Sequence, residues 1–179
     1  MEIIKAAIVG YGNIGRFALE AVDAASDMEC AGIVRRNPSA GDHPELRGRK
    51  VVGDIRGLGH VDVAILAVPS RKVEENALKY LAMGISTVDS FDIHTDIWAL
   101  RSSLGAAAVA GGAVSVISAG WDPGSDSVVR ALMQGLAPKG ISYTNFGPGR
   151  SMGHSVAAKA IDGVRDALSV TIPIGTGLH

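Results

Sequence analysis

The sequence predicts an α/β protein: a doubly wound parallel sheet followed by the beginning of a second, α+β domain. Three observations carry this. Apolar strand-like runs alternate with helical patterns from Ile3 to Ile117, the rhythm of βαβ units. A G-x-G-x-x-G motif at Gly10–Gly15 follows the first run directly. Past Ile117 the alternation stops and a turn-rich stretch takes over.

The first run, Ala6-Ala7-Ile8-Val9, fits a strand buried on both faces. Gly10-Tyr11-Gly12-Asn13-Ile14-Gly15 comes next, then an amphipathic segment. A glycine fingerprint between strand and helix is the context of a dinucleotide site, which makes the predicted sheet a Rossmann one. Gly10 permits the tight turn, Gly12 lets backbone approach a pyrophosphate, and Gly15 lets helix pack on strand. The first helix should span about Asn13 to Ala25, with Ile14, Phe17, Ala18, Ala21 and Val22 facing inward.

The second strand, Met28 to Val34, runs into Arg35-Arg36-Asn37. Sites that prefer NAD place an acid about 20 residues past the glycines to bond the ribose 2′-hydroxyl. Here two guanidiniums stand at that point, suited to a 2′-phosphate and hence to NADP. Two solvated charges at a strand end are the alternative.

Pro38 to Lys50 reads as a loop and Val51-Val52 as a short strand. Val61 to Val68 is a central strand ending in Pro69-Ser70-Arg71, with a helix over Lys72 to Met83 closed by Gly84. Ile85 to Val88, a helix over His94 to Ala110, and a buried strand over Val114 to Ile117 complete the sheet. Ligands of such sheets gather outside the carboxyl ends of the strands. The cofactor candidates are therefore Gly10, Tyr11, Gly12, Asn13, Ile14, Gly15, Arg35, Arg36, Ala67, Val68, Pro69, Ser70, Arg71, Asp89 and Ser90. Asp92 and the segment Ser118 to Asp122 lie at the same edge.

Beyond the sheet the pattern predicts a helix over Ser125 to Ala137, a strand over Ile141 to Phe146, a loop over Gly147 to His154 and a strand over Val164 to Pro173. Residues 1–120 read as the nucleotide domain and 121–179 as an incomplete second one. Such a piece would leave apolar surface uncovered, so this chain is expected to associate and to turn over little substrate.

Composition removes other classes. A net charge of −1 gives no basic footprint for nucleic acid or membrane. Three Phe, three Tyr and two Trp leave little for base stacking. The uncharged stretch Gly105 to Gly120 is broken by Gly111-Gly112 and reads as a helix end, a turn and a strand rather than a span. The lone Cys30 reads as a core thiol. No His, Cys or acid cluster has metal-ligand spacing, so no metal is expected. A strand at the very start, with no signal segment, places the protein in the cytoplasm.

Several motifs belong together: GYGNIGR, the Arg35-Arg36 pair, VDSFDIHTD, SAGWDPGSDS and NFGPGRSMGHSVA. Together they resemble the meso-diaminopimelate dehydrogenase family along the whole chain, although family members are longer. The resemblance implies an NADP-dependent D-amino-acid dehydrogenase of lysine and diaminopimelate biosynthesis, acting at the D-centre of meso-2,6-diaminopimelate as a homodimer. It implies that Asp92 and Asp122 converge on the substrate ammonium as the catalytic pair. It places the carboxylate of the D-centre on the backbone N–H groups of Met152 and Gly153, with Trp121 and Phe146 as apolar walls. Ser151 joins that loop, and Thr171 is similar to the threonine that contacts the distal L-centre. His154 either touches substrate or orders the loop.

The residues alone leave other roles open. Asp92 could cap the helix that follows it, Asp122 could be a turn acid before Pro123, and Trp121 could be core. A non-catalytic nucleotide-binding module and another reductase of amino-acid metabolism are the rival readings.

Overall fold

The computed structural model describes residues 3–39, 43–140, 149–151, 155 and 158–171, with residues 149–151 and 171 described by backbone alone. The chain divides into two compact units, Met1–Leu132 and Met133–His179.

The first unit is organised on β1, Ile4–Val9, whose interior alternates perfectly between two cores. Successive strand side chains point to opposite faces. Ala6 and Ile8 join Leu19, Val22, Ile33 and Leu46 on one side. Ala7 and Val9 join Val34, Leu66, Tyr80, Leu81 and Leu104 on the other. A strand buried on both faces needs an unbroken apolar run, which is what the sequence supplies.

Around it lie α1 (Asn13–Ala24), β2 (Met28–Val34), β3 (Val51–Val52), β4 (Val63–Leu66), α2 (Val73–Leu81), β5 (Ser86–Asp89), α3 (Ile97–Gly111) and β6 (Ser115–Val116). The sheet order is β3-β2-β1-β4-β5-β6 and every pairing is parallel. That is the doubly wound Rossmann order, which reverses direction between β1 and β4 and opens a crevice there.

The elements fall where the pattern puts them, with three differences. Helix α1 buries Gly15, Leu19 and Val22, while Ile14 and Phe17 are exposed and Ala21 faces out. The contact of Gly15 with the turn fixes how the helix is rolled, and that roll sends Ile14 and Phe17 to solvent. Strand β6 is an edge strand of two residues with Val114 and Val116 exposed, not a buried one. Cys30 is half-buried on β2 rather than fully in the core, and desolvation pushes its thiol up.

Helix α4, Ser125–Leu136, follows the turn after β6. In the second unit β7 (Gly149–Ser151) pairs antiparallel with β8 (Ser169–Thr171). Part of the expected loop after Gly147 is thus strand, and the last strand starts later than Val164. Ser155 Oγ accepts the N–H of Ser169 at 2.9 Å. The expected strand Ile141 to Phe146 lies outside the described residues. Among the described residues no helix is long and apolar enough to cross a membrane.

Candidate functional site

The crevice begins at Gly10. Its N–H donates to the Val34 carbonyl at 2.8 Å, and its φ of +91° turns the chain sharply off the strand. A Cβ here would run into the carbonyl of Ala67 at the end of β4, so only glycine lets the two strand ends close up. A Cβ on Gly15 would likewise meet the Gly10 carbonyl. Gly12 is different: a Cβ there would meet nothing within 4 Å. The protein itself does not need glycine at that point, but a ligand approaching the backbone does. Gly12 is also the N-cap of α1, with no side-chain cap and no acid in the first turn. Asn13 and Ile14 are exposed there, beside N–H groups that a helix start leaves without helical partners. This cradle fits the pyrophosphate of a dinucleotide.

Tyr11, in the middle of the fingerprint, serves the scaffold. Its ring meets His43 edge-on with centroids 5.3 Å apart. Burial and the nearby Glu45 carboxylate push its hydroxyl up. Glu45 also lies 3.4 Å from Arg16 of α1, so the loop after β2 is tied down over the glycine turn. At the end of β2, Arg35 is half-buried and Arg36 exposed, and neither has an ion pair among the described residues. Arg35 N–H donates to the Val52 carbonyl at 2.9 Å, which anchors the backbone and leaves the guanidinium available.

After β4, Ala67 is held by the Val9 carbonyl at 2.8 Å, and Val68, Pro69, Ser70 and Arg71 follow along the crevice. Ser70 turns out to serve the other end of the sheet: its hydroxyl donates to Asp92 Oδ1 at 2.5 Å. Asp92 therefore does not cap α3, whose N-cap is Asp96.

Asp89 ends β5 at the same edge. It is only 3% exposed, and its Oδ1 accepts the N–H groups of Phe91 at 2.9 Å and Ser118 at 3.0 Å. Its carbonyl accepts from Ala119 at 2.7 Å. One buried acid thus staples the loop carrying Asp92 to the loop carrying Asp122. Ser90 sits at this junction, where a Cβ on Gly120 would come within 3.1 Å of its own.

Asp122 lies in the turn before α4. Arg130 Nη2 donates to its Oδ1 at 2.7 Å, and Ser127 Oγ reaches the same oxygen at 3.5 Å. Trp121 is 57% exposed, so it is not core. Because β5 and β6 are hydrogen-bonded neighbours, the two acids leave adjacent strand ends. Each has Oδ1 engaged by a protein partner and no hydrogen bond on Oδ2 among the described residues. Arg130 and Asp126 were not singled out in the sequence. Their four-residue spacing in the first turns of a helix is the signal that was there to read. Phe146, Met152, Gly153 and His154 lie outside the described residues, as do the side chains of Ser151 and Thr171.

The sheet order and the glycine-built crevice define an α/β protein of the Rossmann type. Comparison with known proteins carries this further. Residues 120–179 match the family model described as diaminopimelic acid dehydrogenase C-terminal domain. The chain is 64% identical over all 179 residues to the meso-diaminopimelate D-dehydrogenase of Bacteroides fragilis, covering 60% of that protein. Among solved structures it is similar to the C. glutamicum DAP dehydrogenase in complex with DAP, with TM-score 0.78 and 35% identity. That match covers 94% of this chain and 52% of the other. An engineered D-amino acid dehydrogenase bound to NADP+ matches with TM-score 0.76 and 34% identity, over 93% of this chain and 51% of that one. The chain is similar to meso-diaminopimelate dehydrogenases along its whole length, and it spans between half and two thirds of the length of these relatives.

Proposed function

We propose that this protein carries out the NADP-dependent oxidative deamination of meso-2,6-diaminopimelate at its D-centre, or the reverse reductive amination. The observation that carries the reading is the 64% identity along the whole chain to a meso-diaminopimelate D-dehydrogenase. Residues 1–120 form the nucleotide domain, and residues 121–179 belong to a substrate and dimerisation domain. The cofactor lies across the crevice with its pyrophosphate on Gly10–Gly15 and its 2′-phosphate between Arg35 and Arg36. Ala67 to Arg71 line its path. The enzyme works as a homodimer in the cytoplasm.

NADP+, when bound, supplies the acceptor for the hydride that leaves Cα. Asp92 and Asp122 hold the ammonium through their Oδ2 oxygens and so turn the single hydrogen of Cα towards the crevice. They also accept protons as the amine becomes an imine, which water converts to the 2-oxo acid and ammonia. The resemblance implies further substrate contacts from Trp121, Phe146, Ser151, Met152, Gly153, His154 and Thr171.

The test is turnover of meso-diaminopimelate with NADP+ and with NAD+, alongside the LL isomer and simple D-amino acids. Formation of NADPH and one equivalent of ammonia from the meso isomer, slow with residues 1–179 alone and with little from the LL isomer, is the expected result. Binding of NADP+ with no turnover of any of these would favour a non-catalytic nucleotide-binding module instead.

A further inference from the structure

Asp122 is not presented as a bare carboxylate. Arg130 takes its Oδ1 at 2.7 Å, and the same guanidinium places Nε 3.1 Å from Asp126 Oδ2, one helical turn away. Asp126 is the buried member of this trio, whereas the Arg130 side chain is 45% exposed. Backbone bonds lock the same piece of chain. The N–H of Asp126 donates to the Trp121 carbonyl at 2.9 Å, and that of Ser125 to the Gly120 carbonyl at 3.0 Å. One edge of the guanidinium is thus fixed on a buried acid of α4 while another edge grips the turn acid.

We infer that Arg130 is a positioning residue: anchored on Asp126, it holds Asp122 through Oδ1 and leaves Oδ2 as the oxygen offered to the substrate ammonium. The inference rests on the proposed function and adds to it a residue that the family resemblance did not supply. A planar guanidinium with rigidly placed donors sets the plane of a carboxylate in a way that a flexible ammonium cannot. Charge points the same way. Arg130 cancels one of the two acids on its own side of the site, so Asp122 and Asp126 are not left as an uncompensated pair. Without Arg130 two acids would stand together, and the plane of Asp122 would be free to turn.

A double-substitution cycle tests this, read as KM and kcat for meso-diaminopimelate with the NADP+ dissociation constant measured alongside. Arg130→Met should raise KM about tenfold, with NADP+ affinity unchanged, and Arg130→Lys should recover part of the loss. In an Asp122→Asn background Arg130→Met should add nothing, because its effect passes through Asp122. Arg130→Met also removes a partner of buried Asp126, so Arg130→Met/Asp126→Asn is made in parallel. That variant should keep the parent's urea midpoint and still show the raised KM. Losses that multiply across the cycle, or an unchanged KM in both folded variants, would overturn the inference and leave the function standing. A parent protein that does not act on diaminopimelate overturns the function, and this inference with it.

Discussion

The two ends of the sheet's carboxyl edge are built from different materials. Between β1 and β4 the crevice is made of backbone: glycines that allow contact with Ala67, and helix N–H groups left without a side-chain cap. Beyond β5 and β6 the candidate site is made of side chains, each carboxylate held by a partner from another loop or a later helical turn. A backbone site tolerates change in most of its side chains but not in its steric gaps. A side-chain site depends on the partners that hold its acids.

The largest effect should come from the side-chain end. Asp122→Asn keeps shape but removes charge from the ammonium site, so it should cost about 2–4 kcal/mol of transition-state stabilisation, roughly thirtyfold to nearly a thousandfold in kcat/KM. NADPH binding, followed by fluorescence, should be unchanged. Activity within a few-fold of the parent would mean that the acid has no role in catalysis.

At the backbone end, two alanine substitutions two residues apart should act oppositely. Gly10→Ala meets both an unfavourable φ and the Ala67 carbonyl, and should lower stability by about 2–4 kcal/mol in urea denaturation. Gly12→Ala points into open space. Its stability should stay within about 0.5 kcal/mol of the parent, while NADP+ affinity falls by about tenfold or more. If Gly12→Ala left NADP+ affinity intact, the pyrophosphate would not lie on this turn.

A side-chain feature within the backbone-built end comes next. Arg35→Ala or Arg36→Ala removes one charge-assisted bond to a 2′-phosphate, a loss of about 1.5–3 kcal/mol, or roughly ten- to a hundredfold in NADP+ affinity. NAD+ affinity should barely move. Equal losses for the two cofactors would rule out the 2′-phosphate assignment.

The smallest effect lies away from both ends and sets the baseline. Asp54 caps the turn after β3 and accepts from Arg56 and from Lys79 of α2. These bonds hold its carboxyl well below the usual carboxylate range. A depressed folded pKa contributes stability that is present above the unfolded value of about 4 and is lost as pH falls through the folded one. Asp54→Asn should therefore flatten the acid side of the stability–pH curve slightly and leave pH 7 activity alone. An unchanged acid limb would show that these exposed bonds contribute nothing measurable.

The same division governs what could be read in advance. The apolar run of β1, the spacing of Gly10, Gly12 and Gly15, and the positions of strands and helices through β6 were all legible, because local sterics and hydrophobic period decide them. The roll of α1 was not: Ile14 and Phe17 look like an inner face until Gly15 docks on the turn. Nor was Ser70 readable as the partner of Asp92, or Asp89 as a buried staple, or Arg130 as the clamp on Asp122. By itself the sequence determined the Rossmann alternation, the glycine turn and which acids stand at strand ends, since each of these follows from neighbours a few residues away. Only the tertiary structure decided which oxygen of each acid is already taken. For Asp92 that depends on parallel strands bringing loops from different βα units side by side, and for Asp122 on how its turn folds back against α4, and neither contact follows from a periodic pattern.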